Sequence, residues 1–344
     1  MPANLTAMYL KAERDFRRAS TPTEELQCLQ VMLRELPKHK GTDKMQADLR
    51  SRISQAKSDI QAAKNVRKKG TGIRIPRQGA GRVVMLGGPN AGKSQFVSAT
   101  TNANPTVGEY PFTTREPSFA MMPFEDIQIQ LIDLPPITRD LMDISTAGIV
   151  RGADVCLLML DLGNDDGWEQ CREVFDRFAA TKTRLGLTTG LDKSDIGRSY
   201  TQTLLVPNKI DLDDASIRWE MFSDSFQSQK NKSVRSGRDA WPDFDTYPIS
   251  TVSMEGVLEL QSAIWTALDM VRVYTKSPKE KNPDFTNPFT IPRGGTLADL
   301  APLVHKDLAS NLKFARVWGS AIHDGSRVTA DYVLSDKDVV EMNT

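Results

Sequence analysis

The stretch Gly87-Gly88-Pro89-Asn90-Ala91-Gly92-Lys93-Ser94 constrains this chain more than any other. It follows the apolar run Val83-Val84-Met85-Leu86, which reads as a buried strand, and it precedes Gln95 to Ala99, which can open a helix. A strand that passes through G-x-x-x-x-G-K-[ST] into a helix is the phosphate-cradling loop of nucleoside triphosphatases. Its glycines let the backbone wrap a polyphosphate, and amide N–H groups at the helix start face the oxygens. Residues Gly88 to Gln95 would line that cradle. Lys93 would place a charge on the β- and γ-phosphates, and the Ser94 hydroxyl would ligate Mg²⁺.

A second signal specifies the base. Asn208-Lys209-Ile210-Asp211 follows the apolar run Leu204-Leu205-Val206. A carboxylate accepts hydrogen bonds from N1–H and the exocyclic amino group of guanine, whereas adenine presents the opposite pattern. Asp211 therefore selects guanine, because the wrong base leaves a charge unpaired. Asn208 can bond the base and neighbouring loops, and the Lys209 stem can cover the ring. Ser250-Thr251-Val252, after another short apolar stretch, can offer backbone N–H groups to guanine O6. Between the two motifs, Ile127, Ile129 and Leu131 alternate with Gln128 and Gln130, the period of a strand. That strand delivers Asp133, which would hold Mg²⁺ through its water shell. Tyr110-Pro111-Phe112-Thr113-Thr114 can supply a hydroxyl, from Thr113 or Thr114, to complete the metal shell.

These motifs, with Asp133-Leu134-Pro135, resemble those of the Obg superfamily of translation-factor-related GTPases, and most closely the developmentally regulated GTP-binding (DRG) proteins. The tail strengthens the likeness. Pro288-Phe289-Thr290-Ile291-Pro292-Arg293-Gly294-Gly295-Thr296-Leu297-Ala298-Asp299-Leu300 and Phe314-Ala315-Arg316-Val317-Trp318-Gly319 resemble a TGS module, a small β-grasp fold. The resemblance spans roughly residues 80 to 344. It implies GTP as substrate with Mg²⁺, and a K⁺ ion that Asn90 helps to hold beside the phosphates, in the place of an arginine finger. Lys93, Asn90, Thr113 and Thr114 are then the expected catalytic set. The family lacks the water-orienting glutamine of Ras-like proteins, and here Ile137 follows Pro136.

One position departs from the family pattern. Where relatives carry a glycine whose N–H meets the γ-phosphate, this chain has Pro136, which has no N–H to give. Two functional readings follow. One is a slow, K⁺-assisted GTP hydrolase acting as a switch around ribosomes or translation. The other is a GTP-binding assembly protein with little turnover. An ATPase reading conflicts with Asp211.

Length suggests two to three domains: 344 residues with 39% hydrophobic and 26% charged side chains fit a globular protein. No stretch approaches the roughly 18 apolar residues of a membrane span, and no signal-peptide core stands near Lys11, Arg14, Arg17 and Arg18, so a cytoplasmic location is expected. Cys28, Cys156 and Cys171 show no close pairing, and Cys156 sits within a buried-strand pattern. The zero net charge hides an asymmetry. Residues 1–80 carry 17 Lys and Arg against 8 Asp and Glu, and the remainder is correspondingly acidic. Lys64, Arg67, Lys68, Lys69, Arg74 and Arg77 form the densest run, so residues 60–80 and the TGS domain are the expected contacts to ribosome or RNA. A solvated helix end would look the same.

The expected architecture is α/β, in three parts: a basic helical hairpin over 1–70, a P-loop GTPase domain over 80–270 and a β-grasp TGS domain over 271–344. In the hairpin, Leu26, Leu29, Leu33 and Leu36 line one helix that starts near Pro22 and stops at Pro37. Met45, Leu49, Ile53, Ala56 and Ile60 line its partner. The central domain reads as a parallel sheet with helices on both faces and its site at the strand C-terminal ends. Its buried strands are expected at 83–86, 155–160 and 203–207. A polar segment near 223–246 reads as a mobile insert. In the tail, strands are expected at 271–275, 289–291, 314–318 and 339–342. Thr296 caps a helix there with Leu297, Leu300, Leu303, Val304 and Leu308 inward.

Overall fold

This computed structural model describes residues 6–19, 22–37, 42–65, 75–101, 117–139, 142–192, 198–236, 241–278 and 282–343. The Tyr110–Thr114 loop, with Thr113 and Thr114, lies outside the described residues, as do basic residues 66–74.

The N-terminal part holds three helices rather than a hairpin: α1 (Ala7–Arg18), α2 (Pro22–Glu35) and α3 (Asp43–Asn65). α2 and α3 meet through Leu29, Leu36 and Leu49 of the expected stripes and through Met32, which lies outside them, while Leu33 is only partly buried; α1 adds Tyr9, Ala12 and Phe16 to the same core. Thr6 caps α1 by accepting the Tyr9 N–H at 3.1 Å.

The next segment runs β1 (Arg82–Gly87), α4 (Lys93–Thr100), β2 (Ser118–Phe124), β3 (Ile127–Asp133), α5 (Ile144–Arg151), β4 (Val155–Asp161), α6 (Gly167–Ala179), β5 (Thr183–Gly186), β6 (Gly190–Leu191), β7 (Ser199–Asn208), α7 (Ala215–Ser236) and α8 (Val257–Leu268). The strands form one sheet in the order β2-β3-β1-β4-β7-β5, with β6 on β7. Its interior is parallel, as the apolar runs implied, but β2 and β6 are antiparallel edges. β4 is buried along its whole length, the mark of a strand covered on both faces. Alternation along β1 serves two cores. Val83 and Met85 pack with Phe96 of α4 and Leu260 and Ile264 of α8, while Val84 and Leu86 pack with Val150 of α5, Phe178 of α6 and Phe222 of α7. Cys156 and Cys171 are buried there, and desolvation pushes both thiols well up, so they behave as core residues. The polar run after 223 is helical: no Gly or Pro interrupts it as far as Ser236, where α7 ends, and residues 237–240 lie outside the described residues.

The tail forms a second sheet from β8 (Met270–Thr275), β9 (Asp284–Pro292), β10 (Phe314–Gly319), β11 (Ile322–Val328) and β12 (Asp338–Asn343), in the order β11-β10-β12-β8-β9. Thr296 and Asp299 form a capping box at the crossing helix, α9 (Leu297–Val304). The expected single helix is divided. Pro302 removes one N–H from it, His305 turns extended, and a short α10 (Lys306–Asn311) follows. Leu297 and Leu300 point inward, but Leu303 is 54% exposed.

Arginines fasten the N-terminal helices and the segment before β1 to the central sheet domain. Arg151, at the end of α5, pairs with Glu25 of α2 and lies 5.6 Å from the centre of the Phe16 ring. Arg77, from the basic run, pairs with Asp154 and donates to the Gly152 carbonyl at 2.8 Å, so it is engaged within the fold.

Candidate functional site

The C-terminal ends of β1, β3, β4 and β7 converge on one edge of the sheet. The loop from Gly87 to Gly92 leaves β1, and α4 starts at Lys93 with no side chain capping its N-terminus. The first amide groups of α4 are therefore left to face an anion. Two loop residues take left-handed conformations, Asn90 at φ 58° and Gly92 at φ 93°. The Lys93 side chain is buried and donates to the Gly88 carbonyl at 2.8 Å and the Gly87 carbonyl at 3.1 Å. Burial lowers its pKa to about 8, against the opposing pull of the Asp133 carboxylate.

β3 delivers Asp133 to the same place, where it accepts a hydrogen bond from the Ser94 hydroxyl. A hydroxyl and a buried carboxylate are hard oxygen donors, so this pair fits Mg²⁺ better than a softer metal. Beyond Asp133, Pro136 and Ile137 are both buried, and the Ile137 N–H donates to the Gly87 carbonyl at 3.3 Å. The first N–H after Pro136 is thus turned onto the phosphate loop itself.

β7 ends at Asn208, which is fully buried and ties three loops together. Its amide donates to the Ala91 carbonyl at 3.1 Å, and its carbonyl oxygen accepts the Thr251 N–H at 3.3 Å. A side chain on Gly92 would overlap that amide nitrogen. Lys209 takes φ 70° and pairs with Asp161 at 2.7 Å. Asp211 is exposed in the turn that follows. Ser250 shapes the third loop, its hydroxyl accepting the N–H groups of Val252 at 3.1 Å and Ser253 at 2.9 Å. Of the expected N–H groups for guanine O6, that of Thr251 is engaged by the Asn208 side chain and that of Val252 by the Ser250 hydroxyl. Gln95 is half-buried on α4.

Sequence reasoning missed Asp161. Its side chain is only 4% exposed, takes Lys209 on one oxygen and the Gly163 N–H on the other, and so fixes the Lys209 stem beside Asn208. The available signal was an aspartate ending an apolar strand. Its meaning comes from register, because Asp161 lies opposite Asn208 across β4 and β7.

Comparison with known proteins agrees with this geometry. Residues 82–188 match the 50S ribosome-binding GTPase family, and residues 271–344 match the TGS domain. The chain carries a GTPase domain followed by a C-terminal TGS domain, and it is similar to the developmentally regulated GTP-binding proteins. It is 27% identical to the developmentally regulated GTP-binding protein 1 of Xenopus laevis, over 79% of this chain and 85% of that protein. It is 27% identical to the developmentally regulated G-protein 2 of Arabidopsis thaliana, over 93% of this chain and 90% of that one. An uncharacterized GTP-binding protein of Methanocaldococcus jannaschii is also 27% identical, over 92% and 91%. No helix among the described residues is long and apolar enough to cross a membrane.

The lowered Lys93 pKa has a measurable consequence. Phosphate oxygens favour the ammonium form, so nucleotide binding draws the pKa back up. At pH 7 the free GTPase domain already holds the proton, whereas at pH 9 it must take one up. GTP affinity is therefore expected to fall about tenfold from pH 7 to pH 9, with proton uptake visible in titration calorimetry. A flat affinity across that range would mean that Lys93 stays charged in the free protein.

Proposed function

We propose that this protein binds Mg²⁺·GTP on residues 88–95 and hydrolyses it slowly, as a K⁺-assisted switch. The observation that carries the reading is the convergence of Lys93, Ser94, Asp133 and Asn208 at one sheet edge. Lys93 exchanges its two carbonyl partners for the β- and γ-phosphates. Ser94 and Asp133 hold Mg²⁺, joined by a hydroxyl from Thr113 or Thr114. When bound, the metal neutralises charge developing on the transferred phosphoryl group. Asn90 helps to hold K⁺ beside the phosphates. Asn208 buttresses the base pocket, the Lys209 stem covers the ring, Asp211 reads guanine, and the 250–252 loop borders O6. Residues 60–80 and the TGS domain carry contacts to ribosome or RNA, and the protein acts in the cytoplasm.

A second reading has its own support. Pro136 offers no N–H, and the next one, on Ile137, is spent on Gly87. Without a γ-phosphate contact there, the chain would bind GTP and turn it over negligibly. Phosphate release from GTP at matched ionic strength separates the readings. The switch reading expects release at least about tenfold faster in K⁺ than in Na⁺, abolished in Lys93→Ala. Tight GTP binding with no release in either salt would replace it with the assembly reading.

A further inference from the structure

The β2–β3 hairpin joins the two sheets at its closed end. Its two-residue turn, Glu125-Asp126, holds Glu125 at φ 49° and presents both carboxylates to Arg272 of β8. Arg272 is only 4% exposed as a side chain. Its guanidinium pairs with Glu125, donates to Asp126 at 3.2 Å and is held bidentately by Asp336, in the turn before β12, at 2.8 and 3.2 Å. The Tyr274 hydroxyl donates to the other oxygen of Asp126. Trp265 of α8 completes the joint, with the Arg272 guanidinium 5.2 Å from its ring centre and Phe124 of the hairpin at 6.1 Å. A bidentate pair around a buried, always-charged guanidinium is geometrically exacting and resists being shifted on one side only.

The open end of the same hairpin lies at the nucleotide site. β2 and β3 are paired along their full seven residues, from Phe124 opposite Ile127 to Ser118 opposite Asp133. Asp133 bonds Ser94, and Ser118 follows Thr114 by four residues in the chain. Seven strand residues span about 20 Å, so one stiff two-stranded ribbon carries a metal-site carboxylate at one end and the clamp at the other. Among the described residues, β2 is the outermost strand of its sheet and is paired only with β3.

We propose that this hairpin is a lever between the nucleotide site and the TGS sheet, with Arg272 as its hinge pin. Occupation of the site by Mg²⁺·nucleotide draws on Asp133, and the rigid ribbon passes the displacement to Arg272 and Tyr274 in β8. By linkage, anything that seats on the TGS sheet and loads β8 alters nucleotide affinity by the same factor. The proposal rests on the reading of 88–95 as a nucleotide site.

Amide hydrogen exchange on the full chain tests it, in the nucleotide-free, Mg²⁺·GDP and Mg²⁺ plus non-hydrolysable GTP analogue states. The informative variant is the double substitution Glu125→Gln with Asp126→Asn. It preserves volume, and it leaves Arg272 paired with Asp336 rather than stranded as a buried charge. Tyr274→Phe is a milder second variant that removes a single hydroxyl bond. In the parent chain, nucleotide is expected to change exchange across residues 270–275 at least about twofold, together with protection at 88–94. In the double variant the protection at 88–94 remains and the response at 270–275 disappears; in Tyr274→Phe that response is reduced. Protection at 88–94 with an unresponsive β8 in the parent overturns the lever and leaves the nucleotide site standing. So does a β8 response that survives in both variants, because the clamp would then not carry it. No protection at 88–94 with any nucleotide overturns the site reading and the lever together.

Discussion

Replacing Asp211 by Asn is expected to weaken GTP binding by about 2–4 kcal/mol, roughly thirty- to a thousand-fold, and to improve binding of xanthosine triphosphate by a similar factor. The reason is the edge that each base presents. Guanine offers N1–H and an amino group, both donors, and a carboxylate accepts both. An Asn amide meets one of them with a donor of its own. Xanthine replaces the amino group with a carbonyl, which that donor suits. Asp211 is exposed in the free protein, so under the proposed reading the bound base would cover a charge that water previously solvated. The wrong edge then leaves that charge without a partner. Competition titrations of both nucleotides against parent and variant give the answer, and an unchanged GTP affinity in the variant would remove Asp211 from the base pocket.

Gly92→Ala is expected to destabilise the fold by about 3–5 kcal/mol and to abolish nucleotide binding in the fraction that still folds. Two costs combine at this position. The residue sits at φ 93°, where a side chain is strained, and a methyl group would overlap the Asn208 amide. Asn208 would have to release the Ala91 carbonyl, the Thr251 N–H or both, which opens the phosphate loop and the base loop together. Gly294→Ala separates the two costs. Gly294 has φ 79°, but a methyl group there meets nothing within 4 Å, so that variant is expected to lose only about 1 kcal/mol. Denaturant midpoints for the pair decide the point. If Gly92→Ala loses no more than Gly294→Ala, the overlap with Asn208 has no structural weight.

The interior of the nucleotide-binding sheet is legible in the sequence because β1, β4 and β7 are apolar runs bounded by polar turns. That is what burial on both faces demands. β2 is not legible. Its residues include exposed Phe119 and a proline, and its strand character comes from pairing with β3 rather than from a pattern of its own. The same holds for β11, where only the ladder with β10 makes a strand of Ile322–Val328. α1 carries a narrow stripe, Tyr9, Ala12 and Phe16, that means little until α2 lies beside it. The loop motifs could be read because phosphate and guanine recognition impose residue types at fixed spacing. The Lys209–Asp161 pair could not, since it depends on two distant segments arriving in register.

β4 carries one more consequence, for the growing chain rather than for the finished molecule. Val155–Asp161 is hydrogen-bonded on one side to β1 and on the other to β7, which ends at Asn208. At about 5–20 residues per second, a polypeptide extends from residue 161 to residue 208 in about 2–10 s. Throughout that interval Val155-Cys156-Leu157-Leu158-Met159-Leu160 has an open edge with no charge and no proline to blunt it, the composition that seeds intermolecular pairing. The yield of native protein from a cell is then expected to depend on how well those few seconds are shielded, and a surplus of chaperones is expected to raise it without altering the native state.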